Sequence, residues 1–251
     1  MKIYKEYTQV PNSAAGKLSA PDLYRYTCLS IQPRTEKNTM TDSTFLQIAE
    51  LSLDPVRTIE KFAKRLRDTD VCFVNEANTP DSRRYVYTFP KHYNYRMVSA
   101  DFIRMDMGIS KKQQVVLKGF LIQLFSICVN NTKVTHYNIS EMTSKLNSKG
   151  ERIMKTSRNS ASKYLKELIE LGYVIKLDKG YKINCEHLWI KDYSKRIKIL
   201  REDPKCARIM DTTKMDEIAD LGEWLTQLES GTLFIDKELK NRKQESLEII
   251  M

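Results

Sequence analysis

Histidine is scarce in this chain: His92, His136 and His187 are the only three in 251 residues. They lie far apart, and the one cysteine close to any of them is Cys185, two positions before His187. Zinc needs its ligands clustered, and no Cys-x-x-Cys pair occurs, so no metal and no cofactor are expected. The five cysteines, Cys28, Cys72, Cys128, Cys185 and Cys206, are odd in number and widely spaced. Cys28, Cys72 and Cys128 sit in apolar stretches, the usual setting of reduced, buried thiols. Long apolar runs are missing too. The longest, Gly119–Val129, is broken by Gln123 and Ser126 and falls short of the roughly 20 residues that span a bilayer. The opening MKIYKEYTQV has no apolar signal core. These absences predict a cytoplasmic protein without a membrane partner.

Catalytic equipment is equally thin. Gly16-Lys17 is followed by Leu18 where a phosphate-binding loop needs Ser or Thr, and Pro11 stands where that loop needs its first glycine. No pair of histidines brackets a hydrophobic residue, as a nicking enzyme of the rolling-circle kind requires. G-x-S-x-G and H-E-x-x-H are absent as well. The 13 tyrosines fall mostly in apolar registers that suit packing. The expectation is a binding protein and not an enzyme.

What the chain does have is positive charge in one region. The net charge is +10, made of +4 over residues 1–100, +8 over residues 101–185 and −2 over residues 186–251. An excess of this kind over two-thirds of a chain points to a polyanion. It also coincides with a pattern that occurs twice. Ile139–Leu146 reads as a short helix and Ser157–Gly172 as a longer one. Two β-like runs follow, Tyr173–Leu177 and Tyr181–Cys185, around the turn Asp178-Lys179-Gly180. The first copy runs Thr41–Ser52, Asp54–Asp68, then Val71–Asn75 and Tyr85–Phe89 around a longer turn. Short helix, longer helix and hairpin in that order is the winged helix-turn-helix, which reads duplex DNA through the longer helix. The expected fold class is mainly α with small β wings (α+β), as two tandem winged helix-turn-helix domains plus C-terminal helices. The expected divisions are an N-terminal arm over 1–17, winged-helix domains over 18–97 and 98–187, and a helical region over 188–251.

Local signals fill in this outline. Residues 1–17 are polar and read as a loosely held arm. Ser19 and Pro21 start a helix through Ile31, and Asp54-Pro55 starts another, with Asp54 as its cap. In that second helix Val56, Ile59, Phe62, Ala63 and Leu66 form the inward stripe. Residues 89–97 read as a linker. Ser110 caps a long central helix to Val129, and residues 133–137 supply a short strand for the second wing. In the second copy Ala161, Tyr164, Leu165, Leu168 and Leu171 face inward, and Gly172 ends the helix. Beyond Asn184, Leu188–Leu200 and Thr213–Leu228 are amphipathic, the latter with Ile218, Leu221, Leu225 and Leu228 on one side and Trp224 at its border.

A helix in the major groove needs outward Arg, Asn, Ser, Thr or Lys in its first turns. Ser157, Arg158, Asn159, Ser160, Ser162, Lys163 and Lys166 meet that need in the second copy. Arg158 and Asn159 have the bidentate capacity that suits guanine and adenine, and Lys163 and Lys166 suit phosphate. Lys149, Arg152 and Lys155 lie in the loop before that helix. Arg57, Thr58, Lys61 and Arg65 are the counterparts in the first copy. The wings add Lys176, Lys179 and Lys182 in the second copy and Arg83 and Arg84 in the first, for backbone or minor-groove contact.

The stretch from Ile139 to Leu188 resembles the winged-helix region of bacterial plasmid and phage replication initiators. The shared cadence is a short helix, an S/T-rich start of a recognition helix (SRNSASKYLKEL), a Gly-Tyr-Val-Ile step and a short wing ending in Asn184-x-x-x-Leu188. Antibiotic-resistance-type transcription regulators share that cadence. The resemblance implies sequence-specific binding of double-stranded DNA at a plasmid or phage origin. It also implies C-terminal helices used for self-association or for a host replication or transcription protein. A transcription regulator, or a winged-helix adaptor between proteins, are the other readings, and +12 over residues 1–185 weighs against the adaptor.

Overall fold

The computed structural model describes residues 7–32, 39–40, 44–76, 85–91, 94–129, 132–189, 193–213 and 221–231. The chain forms two compact units, one up to Trp189 and one from Ile190 onward. It is an α+β fold with small antiparallel sheets, and no helix of the described residues is long and apolar enough to cross a membrane.

The first unit contains the same sequence of elements twice. Strand β1 (Tyr7–Pro11), a single turn α1 (Ala14–Lys17) and helix α2 (Ala20–Ser30) lead into β2 (Thr39–Met40), α3 (Thr44–Ser52), α4 (Val56–Arg67) and the hairpin β3 (Phe73–Glu76) and β4 (Tyr85–Thr88). Strand β5 (Tyr95–Ser99), α5 (Ala100–Arg104) and α6 (Lys111–Ile127) then lead into β6 (Val134–Thr135), α7 (Ile139–Ser144), α8 (Arg158–Glu170) and the hairpin β7 (Val174–Lys176) and β8 (Tyr181–Ile183). The two three-stranded sheets have matching orders, β2-β4-β3 and β6-β8-β7, both antiparallel. This is winged-helix topology twice over.

Capping residues place the helix starts where the sequence puts them. Ser19 accepts from the Asp22 amide, Ser110 from that of Gln113 and Ser157 from that of Ser160. Asn138 and Glu141 form a reciprocal capping box at α7. One start differs. Helix α4 begins at Val56 without a side-chain cap, because the Asp54 carboxylate is taken by the Arg25 guanidinium at 2.8 and 3.0 Å. A charged hydrogen bond to a half-buried arginine outweighs the neutral amide that a cap would satisfy.

Two regions read as loose are built into the fold. Residues 7–17, assigned to the N-terminal arm, and residues 95–97, assigned to a linker, meet as the antiparallel pair β1–β5, with Tyr7 opposite Ser99 and Pro11 opposite Tyr95. Each strand precedes one module, so the pair ties the two modules together at their entrances. Pairing of segments this far apart in sequence leaves no local signature. The inward stripes are also narrower than expected, since Val56 and Leu171 are exposed at 39% and 37%.

The modules share one continuous core, and α2 against α6 is its centre. At Gly119 the two backbones touch: a Cβ placed there would lie 1.7 Å from the Ala20 carbonyl oxygen. Beside this contact Lys118 is buried, donating to the Ile103 carbonyl at 2.9 Å and lying 3.5 Å from the Tyr24 hydroxyl. Burial pushes the Lys118 ammonium down to about 8 from 10.5, and Cys28, Asp106 and Cys185 offset only part of that. A lysine with a depressed folded pKa costs stability while charged, and the cost vanishes as pH climbs from about 8 toward 10.5. The stability of Lys118→Met relative to the parent is therefore expected to fall by on the order of 2–3 kcal/mol over that window. Urea unfolding of both proteins at the two ends of the window measures it. A stability gap that does not change with pH rejects the prediction.

In the second unit, α9 (Tyr193–Arg201), α10 (Pro204–Asp211) and α11 (Leu221–Ser230) enclose their own small core. It consists of Leu200, Cys206, Ile209, Met210, Leu225 and Leu228, with Trp224 against it. The Arg196 guanidinium clasps Glu229 at 2.8 Å and Thr226 at 2.6 Å. Leu225 and Leu228, two of the residues the sequence places on one side of the helix, are used within this core. Ile218 and the tail 236–251 lie outside the described residues. Helix α10 was not anticipated, although Asp203 caps it and Pro204 opens it, the start signal that Asp54-Pro55 imitates.

Candidate nucleic-acid interface

Helices α4 and α8 hold equivalent places, each after the short helix of its module and before its hairpin. They also bury equivalent positions. The fourth, seventh, eighth and eleventh residues face the core, as Ile59, Phe62, Ala63 and Leu66 in α4 and Ala161, Tyr164, Leu165 and Leu168 in α8. With a 3.6-residue repeat, the second, sixth and ninth positions then face out. These are Arg57, Lys61 and Lys64 in α4, and Asn159, Lys163 and Lys166 in α8, all exposed. Lys64 is the residue missing from the sequence-derived candidates. Its spacing of three from Lys61 on the apolar-free face was the available signal.

A polar cross-link anchors each of these helices at the same two positions. The third residue of α2, Asp22, holds the tenth of α4, Arg65, through bonds of 3.0 and 2.7 Å. The third residue of α6, Gln113, donates to the tenth of α8, Glu167, at 2.9 Å. Asp22 is 8% exposed and also binds Arg25 at 2.9 Å. Burial alone would raise the Asp22 carboxyl, but hydrogen bonds and charge from Arg65 and Arg25 outweigh it and hold the pKa below the ordinary value. Arg65 was expected to contact DNA. One edge of its guanidinium, through Nε and one terminal nitrogen, is bound to Asp22, so it positions α4, while its side chain stays half exposed.

In α8 the remaining candidates separate by what already holds them. Arg158 and Asn159, its first two residues, are exposed, and neither side chain is held by a partner among the described residues. The Ser157 hydroxyl caps the helix and lies 2.9 Å from the Ser160 hydroxyl, so these two serve the helix start. Ser162 is exposed on the fifth position. Among the described residues, Lys163 and Lys166 make only distant pairs of 3.9 Å with Glu167 and Glu170. Exposed pairs of that kind contribute little, at most about 0.5 kcal/mol, and leave both ammonium groups available to phosphate. Thr58 in α4 is half-buried, whereas Arg57 and Lys61 are exposed.

The second wing extends this basic face. Lys176, Lys179 and Lys182 are all exposed, with Lys182 opposite Ile175 on the outer face of the hairpin. In the loop between α7 and α8, Lys149 and Arg152 are exposed. Lys155 is not free: its ammonium donates to the Lys17 carbonyl at 2.8 Å and its amide to that of Ala15 at 2.9 Å. Arg83 and Arg84 of the first wing lie outside the described residues. All five cysteines are free thiols and buried.

No family model matches the chain, and no curated protein matches it. Among solved structures, a chain of the Nse1-Nse3-Nse4 complex is similar to it at 13% identity and a TM-score of 0.21. That match covers 68% of this chain and 70% of the other. A likeness this slight carries no argument.

Proposed function

We propose that this chain binds double-stranded DNA at two places, through α8 with its wing and through α4, as the initiator of replication at a plasmid or phage origin. The observation that carries the reading is the positional identity of the two helices. Each turns the same four positions toward the core, with Tyr164 only partly covered, is pinned from behind at the same tenth position and presents lysines at the same sixth and ninth. A solvated surface helix has no need for such agreement, whereas two heads reading one duplex do. Arg158 and Asn159 read base edges, and Lys163, Lys166, Lys176, Lys179 and Lys182 meet phosphates. The chain acts by binding and not by catalysis. The initiator reading rests on the sequence resemblance of residues 139–188 and on the presence of two modules in one chain.

Salt titration tests the DNA reading. If all five lysines neutralise phosphates, log affinity for duplex DNA falls with log salt at a slope of roughly −4 to −5. A flat response sinks it. A footprint on DNA flanking the chain's own gene then separates an initiator, which protects iterated repeats, from a regulator, which protects a promoter.

The second unit supplies protein contacts in this reading. Leu188 is fully buried, and Trp189 packs on Phe125 with ring centroids 6.4 Å apart, so the boundary for truncation is after Trp189 and not at the expected division after His187. A chain ending at Trp189 is expected to keep its affinity for DNA within a few-fold while losing self-association or origin firing in cells. Band-shift titration and sedimentation of both lengths measure this. Loss of DNA binding by the shorter chain contradicts the division of labour.

A further inference from the structure

The turn α1 lies where the two modules meet, and both DNA-facing helices are fastened to it. Toward the first module, the Lys17 ammonium binds Asp70, three residues past the end of α4, at 2.6 Å. Toward the second, the same ammonium binds Glu151 in the loop that leads to α8, at 3.1 Å. That loop sits directly on α1. A Cβ on Gly16 would come within 1.8 Å of the Arg152 carbonyl oxygen, and Lys155 returns two hydrogen bonds, to the carbonyls of Ala15 and Lys17.

Behind this contact lies Gln123 of α6, fully buried. Its amide nitrogen donates to the Ala15 and Leu18 carbonyls at 3.2 and 3.0 Å, and its oxygen accepts from the Thr156 hydroxyl. Thr156 immediately precedes Ser157, the cap of α8. A buried amide with all its bonds made holds geometry better than exposed ion pairs do. Gln123 is thus the inner anchor and Lys17 the outer brace.

We propose that α1, held by Gln123 and Lys17, fixes the distance between the two DNA-reading helices and so sets the spacing of half-sites that the chain accepts. This rests on the DNA reading above. Neither residue touches DNA in it: both are positioning residues. A slip of about 3.4 Å along the duplex is one base pair, so looseness on that scale removes spacing discrimination.

The test uses the full-length chain with spin labels on Lys64→Cys and Glu170→Cys, exposed sites on α4 and α8; the five native thiols are buried. Without DNA, the parent is expected to give one narrow distance distribution. Lys17→Met and Thr156→Val should each broaden it, and the pair together by about 3 Å or more. Lys17→Arg should restore the parent width. Unchanged widths in the double variant overturn the brace. The parent and the same Lys17 and Thr156 variants, unlabelled and with Lys64 and Glu170 native, are then used to select from a randomised duplex library. The parent should recover half-sites at one spacing, and the double variant the same half-sites at several. Broadened distances with an unchanged single spacing overturn the role in DNA selection. If the parent selects no duplex, the DNA reading itself fails, and the label distances still report separately on whether α1 fixes α4 against α8.

Discussion

Replacing Arg158 and Asn159 together with alanine is expected to remove roughly 2–6 kcal/mol of specific DNA affinity, about thirtyfold to twenty-five-thousandfold. Both residues stand exposed at the first two positions of α8, where a helix entering the major groove meets base edges. Neither is tied down among the described residues, so little stability should be lost and the effect should lie in binding. Affinity for unrelated duplex should change only a few-fold, because phosphate contacts supply it. Lys163→Ala provides the contrast, lowering specific and non-specific binding alike. Competition titrations against both DNAs separate the outcomes. An equal loss of specific and non-specific affinity in the double variant would assign Arg158 and Asn159 to phosphates and move base reading elsewhere.

Gly119→Ala is expected to destabilise the first unit, although alanine in a helix interior is ordinarily worth about 0.5–1 kcal/mol over glycine. The added methyl would stand 1.7 Å from the Ala20 carbonyl oxygen, and that atom is backbone, which no rotamer change can move aside. Helix α2 must therefore shift away from α6, and overpacking of this kind costs about 1–3 kcal/mol. The loss should appear as a lower urea midpoint with an unchanged slope. Since α2 carries Asp22 and α6 carries Gln113, the shift also disturbs the anchors of α4 and α8. Equal or higher stability in the variant would show that the α2–α6 contact yields freely and is not what holds the modules in one core.

The second module was more legible than the first. Its helix start at Ser157, its stop, Gly172, and its tight hairpin around Asp178–Gly180 all act within a few residues of the structure they specify. The inward residues of α4 and α8 were visible for the same reason, since helical periodicity is local, and the misses Val56 and Leu171 lie at helix ends where the stripe runs off the core. The anchoring bond of Arg65 was not legible because its partner Asp22 lies on another helix, and an arginine on an outward face looks alike whether or not a carboxylate waits beside it. Asp54 was misread in the same way through Arg25.

By itself the sequence determined the helix–helix–hairpin order of both modules, the doubling of the winged helix, the basic character of residues 1–185 and the outward lysines of α8. Each of these depends on short-range patterning or on charge, which a linear chain displays in full. The tertiary structure decided which cations are free and which are braces, that β1 joins β5, and that α1 lies between the modules. Those outcomes depend on pairing between residues distant in the chain, and nothing in either segment alone specifies its partner.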